Sequence, residues 1–134
     1  MDYHQVEKLD RGITTEDGAF IHFEVHTKSG EVIGLEMSTK RIGGFIAFLA
    51  GLSQFAGRRK EPIQVRAELE AGEYQGALMN PTHVGFAQGR TQQEKILKFH
   101  MGTFSLGFSL DANAIAPLRA AIDQILPEKP TPLN

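Results

Sequence analysis

Two segments of this chain, residues 33–52 and residues 106–125, share one strand-then-helix pattern at a constant offset of 73. In each segment, alternating apolar residues form one face of a strand and are followed by apolar residues at helical spacing. The aligned pairs are Ile33/Leu106, Leu35/Phe108, Met37/Leu110, Ile42/Ile115, Phe45/Leu118, Leu49/Ile122 and Leu52/Ile125. Only three of the 20 aligned positions are identical. The pattern therefore indicates either a true duplication or two analogous units.

Glycine-containing turns predict a hairpin before each helix. Residues 28–30 are typical of a three-residue loop that ends in a left-handed glycine. Residues 102–103 are typical of a two-residue loop with glycine first. In both hairpins the predicted register places the apolar side chains on one face. The predicted pairs include Phe23 with Leu35, and Phe99 with Leu106.

These elements predict an α+β fold, with an antiparallel sheet of about six to seven strands and two helices on one face. We expect residues 1–126 to form a single domain containing two βββα repeats, residues 11–57 and residues 84–126. The predicted hairpin strands are 19–27 with 31–38, and 93–101 with 104–110; a further strand is 82–88. Residues 61–70 alternate between apolar and polar side chains, which predicts a strand that bridges the repeats. Residues 127–134 contain three of the six prolines and are expected to form a flexible C-terminal tail.

Composition narrows the class of protein. A chain of 134 residues with 41% hydrophobic and 22% charged content is typical of a globular domain. The absence of cysteine excludes disulfides, thiolate metal sites and a cysteine nucleophile. A net charge of −2 argues against nucleic acid as a partner. The polar start lacks the form of a signal peptide and no apolar run is long enough for a transmembrane segment, so we expect a cytoplasmic protein.

The first helix is apolar on nearly every side. Its large apolar residues are Phe45, Ile46, Phe48, Leu49, Leu52 and Phe55. One interpretation is a helix buried within its own chain. The other is a self-associating surface, where small residues permit close approach: Gly43, Gly44, Ala47, Ala50 and Gly51. Basic residues at 58–60 suit the carbonyl end of the helix, and they also fit an acidic partner or lipid headgroups.

The start of this helix is the strongest candidate for a ligand site. Backbone N–H groups there favour anions, and two cations lie where the helix dipole disfavours them. The candidate ligand-binding residues are Ser38, Thr39, Lys40, Arg41, Gly43 and Gly44. The phosphate-loop and dinucleotide-binding patterns are absent. The alternative interpretation is that the glycines serve packing and the cations are merely solvated.

No catalytic constellation is present, and the function cannot be deduced from the sequence. His22, Glu24 and His26 share one strand face with Glu36, but the two histidines are about 13 Å apart and cannot hold one ion. We therefore predict no metal, no cofactor and no assigned catalytic residue. The leading hypothesis is a small interaction or scaffold protein, which is expected to be a homodimer or to bind a protein partner. The second hypothesis is a module that binds an anion or small molecule, and an enzyme comes third.

Overall fold

The computed structural model describes residues 1–126. It contains six strands and three α-helices in the order βββααβββα. The elements are β1 (Val6–Thr14), β2 (Phe20–Thr27), β3 (Val32–Ser38), α1 (Ile42–Arg58), α2 (Pro62–Glu70), β4 (His83–Gln88), β5 (Lys95–Met101), β6 (Phe104–Leu110) and α3 (Ala112–Ile125). One 3-10 turn, Thr39–Arg41, leads into α1. Residues 127–134 lie outside the described part, so the flexible tail stays a prediction.

The predicted α+β class is confirmed, but the prediction of a single sheet is wrong. The strands form two separate three-stranded sheets, ordered β1-β2-β3 and β4-β5-β6. The described chain also divides into two compact units, residues 1–80 with 102–104, and residues 81–101 with 105–126. Each unit follows its three strands with a helix, as the βββα pattern predicts. The placement of two helices on one face stays a prediction, and so does the duplication.

The first hairpin has the predicted register. Phe23 is opposite Leu35, and Ile21 is opposite Met37. The loop closes where the N–H of Gly30 donates to the carbonyl of Thr27, and the φ of this glycine is 88°. Because a left-handed conformation carries little steric cost for glycine alone, the short loop sets the register of both strands. The apolar side chains of β2 and β3 consequently share one face.

A bulge in β1 changes which face its residues occupy. Asp10 pairs with Glu24, and Ile13 pairs with His22. Two residues of β1 therefore oppose Phe23 alone, and Arg11 takes a φ of 50° within the bulge. The extra residue reverses the alternation of side chains along β1.

The strands of the second sheet pair in an antiparallel arrangement like that of the first sheet. Val84 pairs with Phe99, as Leu9 pairs with Val25 in the first sheet. The hairpin between β5 and β6 turns at residues 102–103, and the φ of Gly102 is 58°, as the glycine-first loop requires. Strands β4 to β6 lie within two residues of their predicted bounds.

Residues 61–70 do not form the predicted bridging strand, because most of this segment is helix α2. Pro62 occupies the first turn, where its fixed φ suits a helix and its missing N–H costs nothing. The side-chain amide of Gln64 donates to Glu68 over 2.9 Å, one helical turn away. The remaining residues are good helix formers or are compatible with a short helix, so local propensity prevails over the two-residue alternation.

Helix α3 begins with a side-chain cap. Asp111 accepts a hydrogen bond from the backbone N–H of Ala114 over 3.0 Å, which satisfies one N–H of the first turn. Pro117 lies inside this helix. Among the helices of residues 1–126, none has the length and apolar content needed to cross a membrane.

Candidate functional site

An open groove lies between the first sheet and α1. Its volume is about 1190 Å³ and its lining is mainly apolar. The sheet contributes Leu9, Ile13, Ile21, Phe23 and Met37, and the helix contributes Ile42, Phe45, Ile46 and Leu49. All of these residues belong to the first unit. The hairpin register explains the floor of the groove, because it directs the apolar side chains of β2 and β3 to one face.

Helix α1 is far more exposed than its sequence predicts for a core helix. Phe48 is 64% exposed, Leu49 is 63% exposed and Phe55 is 62% exposed. No residue of α1 is buried. The interpretation of α1 as a helix buried within its own chain is therefore wrong for the first unit, whose sheet and α1 leave the groove open between them.

The first unit lacks a hydrophobic core, and the same holds for all the described residues. Within residues 1–126 no hydrophobic side chain is buried, and the two buried residues are Thr27 and Thr39. Exposed apolar side chains of the second unit include Val84, Phe86 and Phe108. The apolar faces of both sheets are therefore exposed in the single chain.

The segment from Ser38 to Gly44 does not act as one polar cluster. The hydroxyl of Thr39 donates to the carbonyls of Gly18 and Ala19 over 2.8 and 3.1 Å, so its proton ties this residue to the turn before β2. Ser38 makes no side-chain cap to the turn that follows it. Of the predicted ligand-binding residues, Thr39 thus has a structural role.

The two cations of this segment are exposed. Within residues 1–126 neither Lys40 nor Arg41 forms an ion pair with a carboxylate. No side chain caps the first turn of α1. Gly43 is half-buried and Gly44 is exposed. Positive charge is therefore available to an anion here, although the hydroxyl of Thr39 is not.

The polar face of the first sheet carries histidine–carboxylate pairs instead of a metal site. His22 Nε2 lies 2.8 Å from Glu36 Oε2, and His26 Nε2 lies 3.1 Å from Glu24 Oε2. Arg11, displaced by the bulge, lies 3.8 Å from Glu24. Each histidine pairs with a different carboxylate, so the two pairs do not form one site. In the described residues no group of three or more ligating side chains could hold a metal ion.

A second polar cluster joins α2 to the chain that follows it. Lys60 Nζ donates to Glu68 Oε2 and to the hydroxyl of Tyr74, each over 3.0 Å. The hydroxyl of Tyr74 also donates to Glu68. These hydrogen bonds, led by that of Tyr74, lower the pKa of Glu68 to about 2. Hydrogen bonds to Tyr74 and Glu68 raise the pKa of Lys60.

Sequence reasoning missed the contribution of β1 to the groove and the Lys60–Glu68–Tyr74 cluster. Leu9 and Ile13 are apolar, but the bulge that alters their alternation has no clear sequence signal except Gly12. The Lys60–Glu68–Tyr74 cluster could not be predicted either, because the alternation of residues 61–70 placed Glu68 on a strand. A helical reading of residues 62–70 would have placed Gln64 and Glu68 one turn apart.

Comparisons with known proteins add no family or relative. No family model, curated protein or solved structure matches this chain.

Proposed function

We propose that this protein is a small interaction or scaffold module of the cytoplasm that associates with itself. The observation that carries the proposal is the absence of any buried hydrophobic side chain in residues 1–126. An apolar face left in water contributes nothing to folding, whereas the same face covered by a second chain does. Self-association supplies that cover without requiring any other molecule.

Mass measurement in solution tests the proposal. We expect sedimentation velocity and light scattering at micromolar concentration to give a dimer or a higher oligomer. A strictly monomeric protein whose α1 amides are protected from hydrogen exchange would contradict it, because the chain would then cover α1 by itself.

A second candidate function is anion binding at the start of α1. It is favoured by the exposure of Lys40 and Arg41 and by their lack of ion pairs in the described residues. Because Thr39 bonds to backbone carbonyls, this candidate depends on the two cations, Ser38 and backbone N–H groups near Gly43 and Gly44.

A further inference from the structure

Another cleft of the first unit lies between the end of α1 and the start of α2. Its volume is about 860 Å³, and it is lined by both helices and by the turn that joins them. Three of its lining residues are arginines: Arg58 ends α1, Arg59 lies in the turn and Arg66 lies in α2. Within residues 1–126 none of these arginines forms an ion pair.

The carboxylates close to these arginines do not balance their charge. Glu68 pairs with Lys60 over 3.0 Å, so the charges of that pair balance each other. Glu61 is the one carboxylate among the residues that line the cleft. One carboxylate therefore faces three arginines, and the cleft carries an excess of positive charge.

The helix dipole accounts for only part of this excess. Arg58 and Arg59 lie at the carbonyl end of α1, where cations are favourable without any ligand. Arg66 has no such reason, because it lies in the middle of α2. Glu70 is one turn further along α2, yet the two side chains form no ion pair in the described part of the chain. Arg66 instead lines the cleft beside two like charges, which favours a negatively charged ligand there.

The end of α1 has both donors and space for such a ligand. Arg58 Cζ lies 5.5 Å from the centre of the Phe55 ring, within the range of a cation–π contact. A ring offers no acceptor oxygen, so the N–H donors of Arg58 are still available to an anion. A Cβ atom added at Gly57, which also lines the cleft, would meet no other atom within 4 Å.

One wall of the cleft is apolar. Val65 and Leu69 lie one turn apart on α2, and Leu69 is 60% exposed. The volume of the cleft lies within the roughly 300–1,000 Å³ that is typical of small-molecule sites. A ligand with an apolar group beside its negative charge would contact both the arginines and this wall.

We propose that this cleft binds a phosphate ester, with the phosphate on the three arginines and an apolar group against Val65 and Leu69. A phosphate monoester carries about −1.5 to −2 charges and three acceptor oxygens, so it can serve several guanidinium groups, whereas a carboxylate carries a single charge. The ester is either a soluble molecule or a lipid headgroup. The site is separate from the cations before α1, and it does not depend on self-association.

Phenyl phosphate is the probe that carries both chemical parts. At constant ionic strength, we expect it to shift the amide resonances of residues 57–66 and to bind more tightly than inorganic phosphate, which lacks the apolar group. Phenol alone should cause no shift. Unchanged resonances with both phosphates at millimolar concentration would overturn the proposal. Shifts of equal size around Arg90, an exposed arginine of the second unit, would show unspecific screening and overturn it as well.

Substitution of single arginines tests the anion part of the site. Arg58→Gln and Arg66→Gln should each raise the Kd for phenyl phosphate about tenfold, as expected for the loss of hydrogen bonds to a charged group. Arg90→Gln is the matched control and should leave this Kd unchanged. All three side chains are exposed, so the circular dichroism of the variants should match that of the parent. An unchanged Kd in Arg66→Gln would contradict a site shared by the two helices.

Substitution of Leu69 tests the apolar wall. Leu69→Ala should weaken the binding of phenyl phosphate several-fold and leave that of inorganic phosphate unchanged. Because Leu69 is 60% exposed, the substitution should not unfold the protein. Equal affinities for the two phosphates in the parent protein would overturn the apolar part of the proposal.

Vesicles distinguish the two sources of the phosphate. Sedimentation with phosphatidylcholine vesicles that contain about 30% phosphatidic acid, lost in Arg66→Gln, would assign the ligand to a lipid headgroup. Binding of phenyl phosphate without sedimentation would assign it to a soluble ester. A protein that dimerises but binds neither probe overturns this inference and leaves the proposed function standing.

Discussion

At the scale of single residues, the two buried side chains of residues 1–126 are both threonines, and the hydroxyl of each is hydrogen-bonded to the backbone of a turn in the first unit. Thr27 is 2% exposed, and its Oγ1 accepts from the N–H of Glu31 and donates to the carbonyl of the same residue. Thr39 ties the end of β3 to the turn before β2. Each hydroxyl holds a chain reversal in place, so the strands of the first sheet keep their register while their apolar face stays open.

The Lys60–Glu68–Tyr74 cluster gives a prediction about acid. Because the pKa of Glu68 falls from its ordinary 4.5 to about 2 in the folded state, its stabilising effect is complete above pH 4.5. The effect is lost as the pH falls through about 2. In a Tyr3→Phe background, where Tyr74 is the single tyrosine, we expect tyrosine fluorescence to change with a midpoint near that pH.

The control for this titration is Glu68→Gln in the same background. Glutamine does not ionise, so the fluorescence change should disappear. A midpoint at or above pH 4 in the parent protein would show that Glu68 titrates as an ordinary carboxyl.

The cations before α1 give a second prediction at this scale. If an anion binds there, millimolar phosphate or sulfate should shift the amide resonances of residues 38–45. Replacing Lys40 and Arg41 by alanine should abolish the shifts without lowering the free energy of unfolding, because both side chains are exposed.

The matched control replaces Arg58 and Arg59 by alanine. It removes the same number of charges from the other end of α1 and should leave the shifts intact. Unchanged amide resonances in the parent protein at millimolar anion would remove this candidate function.

At the scale of elements, the first hairpin depends on one backbone conformation. Gly30→Ala should lower the free energy of unfolding by about 1 kcal/mol, because the φ of 88° is unfavourable for a residue with a Cβ atom. Gly34→Ala is the matched control, since Gly34 lies in β3 and an added Cβ would meet nothing within 4 Å. Urea unfolding of the two variants should differ by roughly that amount, and equal stabilities would show that the loop does not set the register.

Local signals explain which elements could be predicted from the sequence. Both hairpins followed from turn glycines and period-two alternation, which act over a few residues. The prediction of a strand at residues 61–70 was wrong because the alternation of Ile63, Val65 and Ala67 was given more weight than the helix-start signal of Pro62. The prediction of a single sheet was wrong for another reason. The order of strands depends on contacts between residues that are distant in the sequence, and the spacing of apolar residues does not encode those contacts.

The candidate site was only partly predictable for a related reason. The excess apolar surface of α1 was readable from its composition, and so were its small residues. The groove was not, because it depends on how α1 lies over its sheet, which is set by contacts between residues that are distant in the sequence. The hydroxyl of Thr39 was expected at a ligand, and its partners at Gly18 and Ala19 lie about 20 positions earlier in the chain.

At the scale of the whole molecule, self-association predicts that stability depends on protein concentration. A hundredfold increase in concentration should raise the Tm of a dimer of this size by about 5 °C. Phe48→Glu places a charge on the exposed apolar surface of α1 and should reduce this shift. Leu78→Glu, at a position that is 98% exposed in the loop after α2, should not reduce it. Differential scanning calorimetry at several concentrations measures it, and a Tm independent of concentration would contradict an assembly that couples folding to association.

The uncharged surface of α1 also has a consequence for the synthesis of the protein. The stretch from Arg59 to Ile125 takes roughly 3 to 13 s to translate at the usual rate of about 5–20 residues per second. Throughout that interval α1 has already been made, and its exposed apolar side chains are open to other nascent chains on the same messenger. Under the proposed self-association, we expect the yield in the cell to depend on association of neighbouring ribosome-bound chains, or on shielding by a chaperone, more than on the stability of either unit.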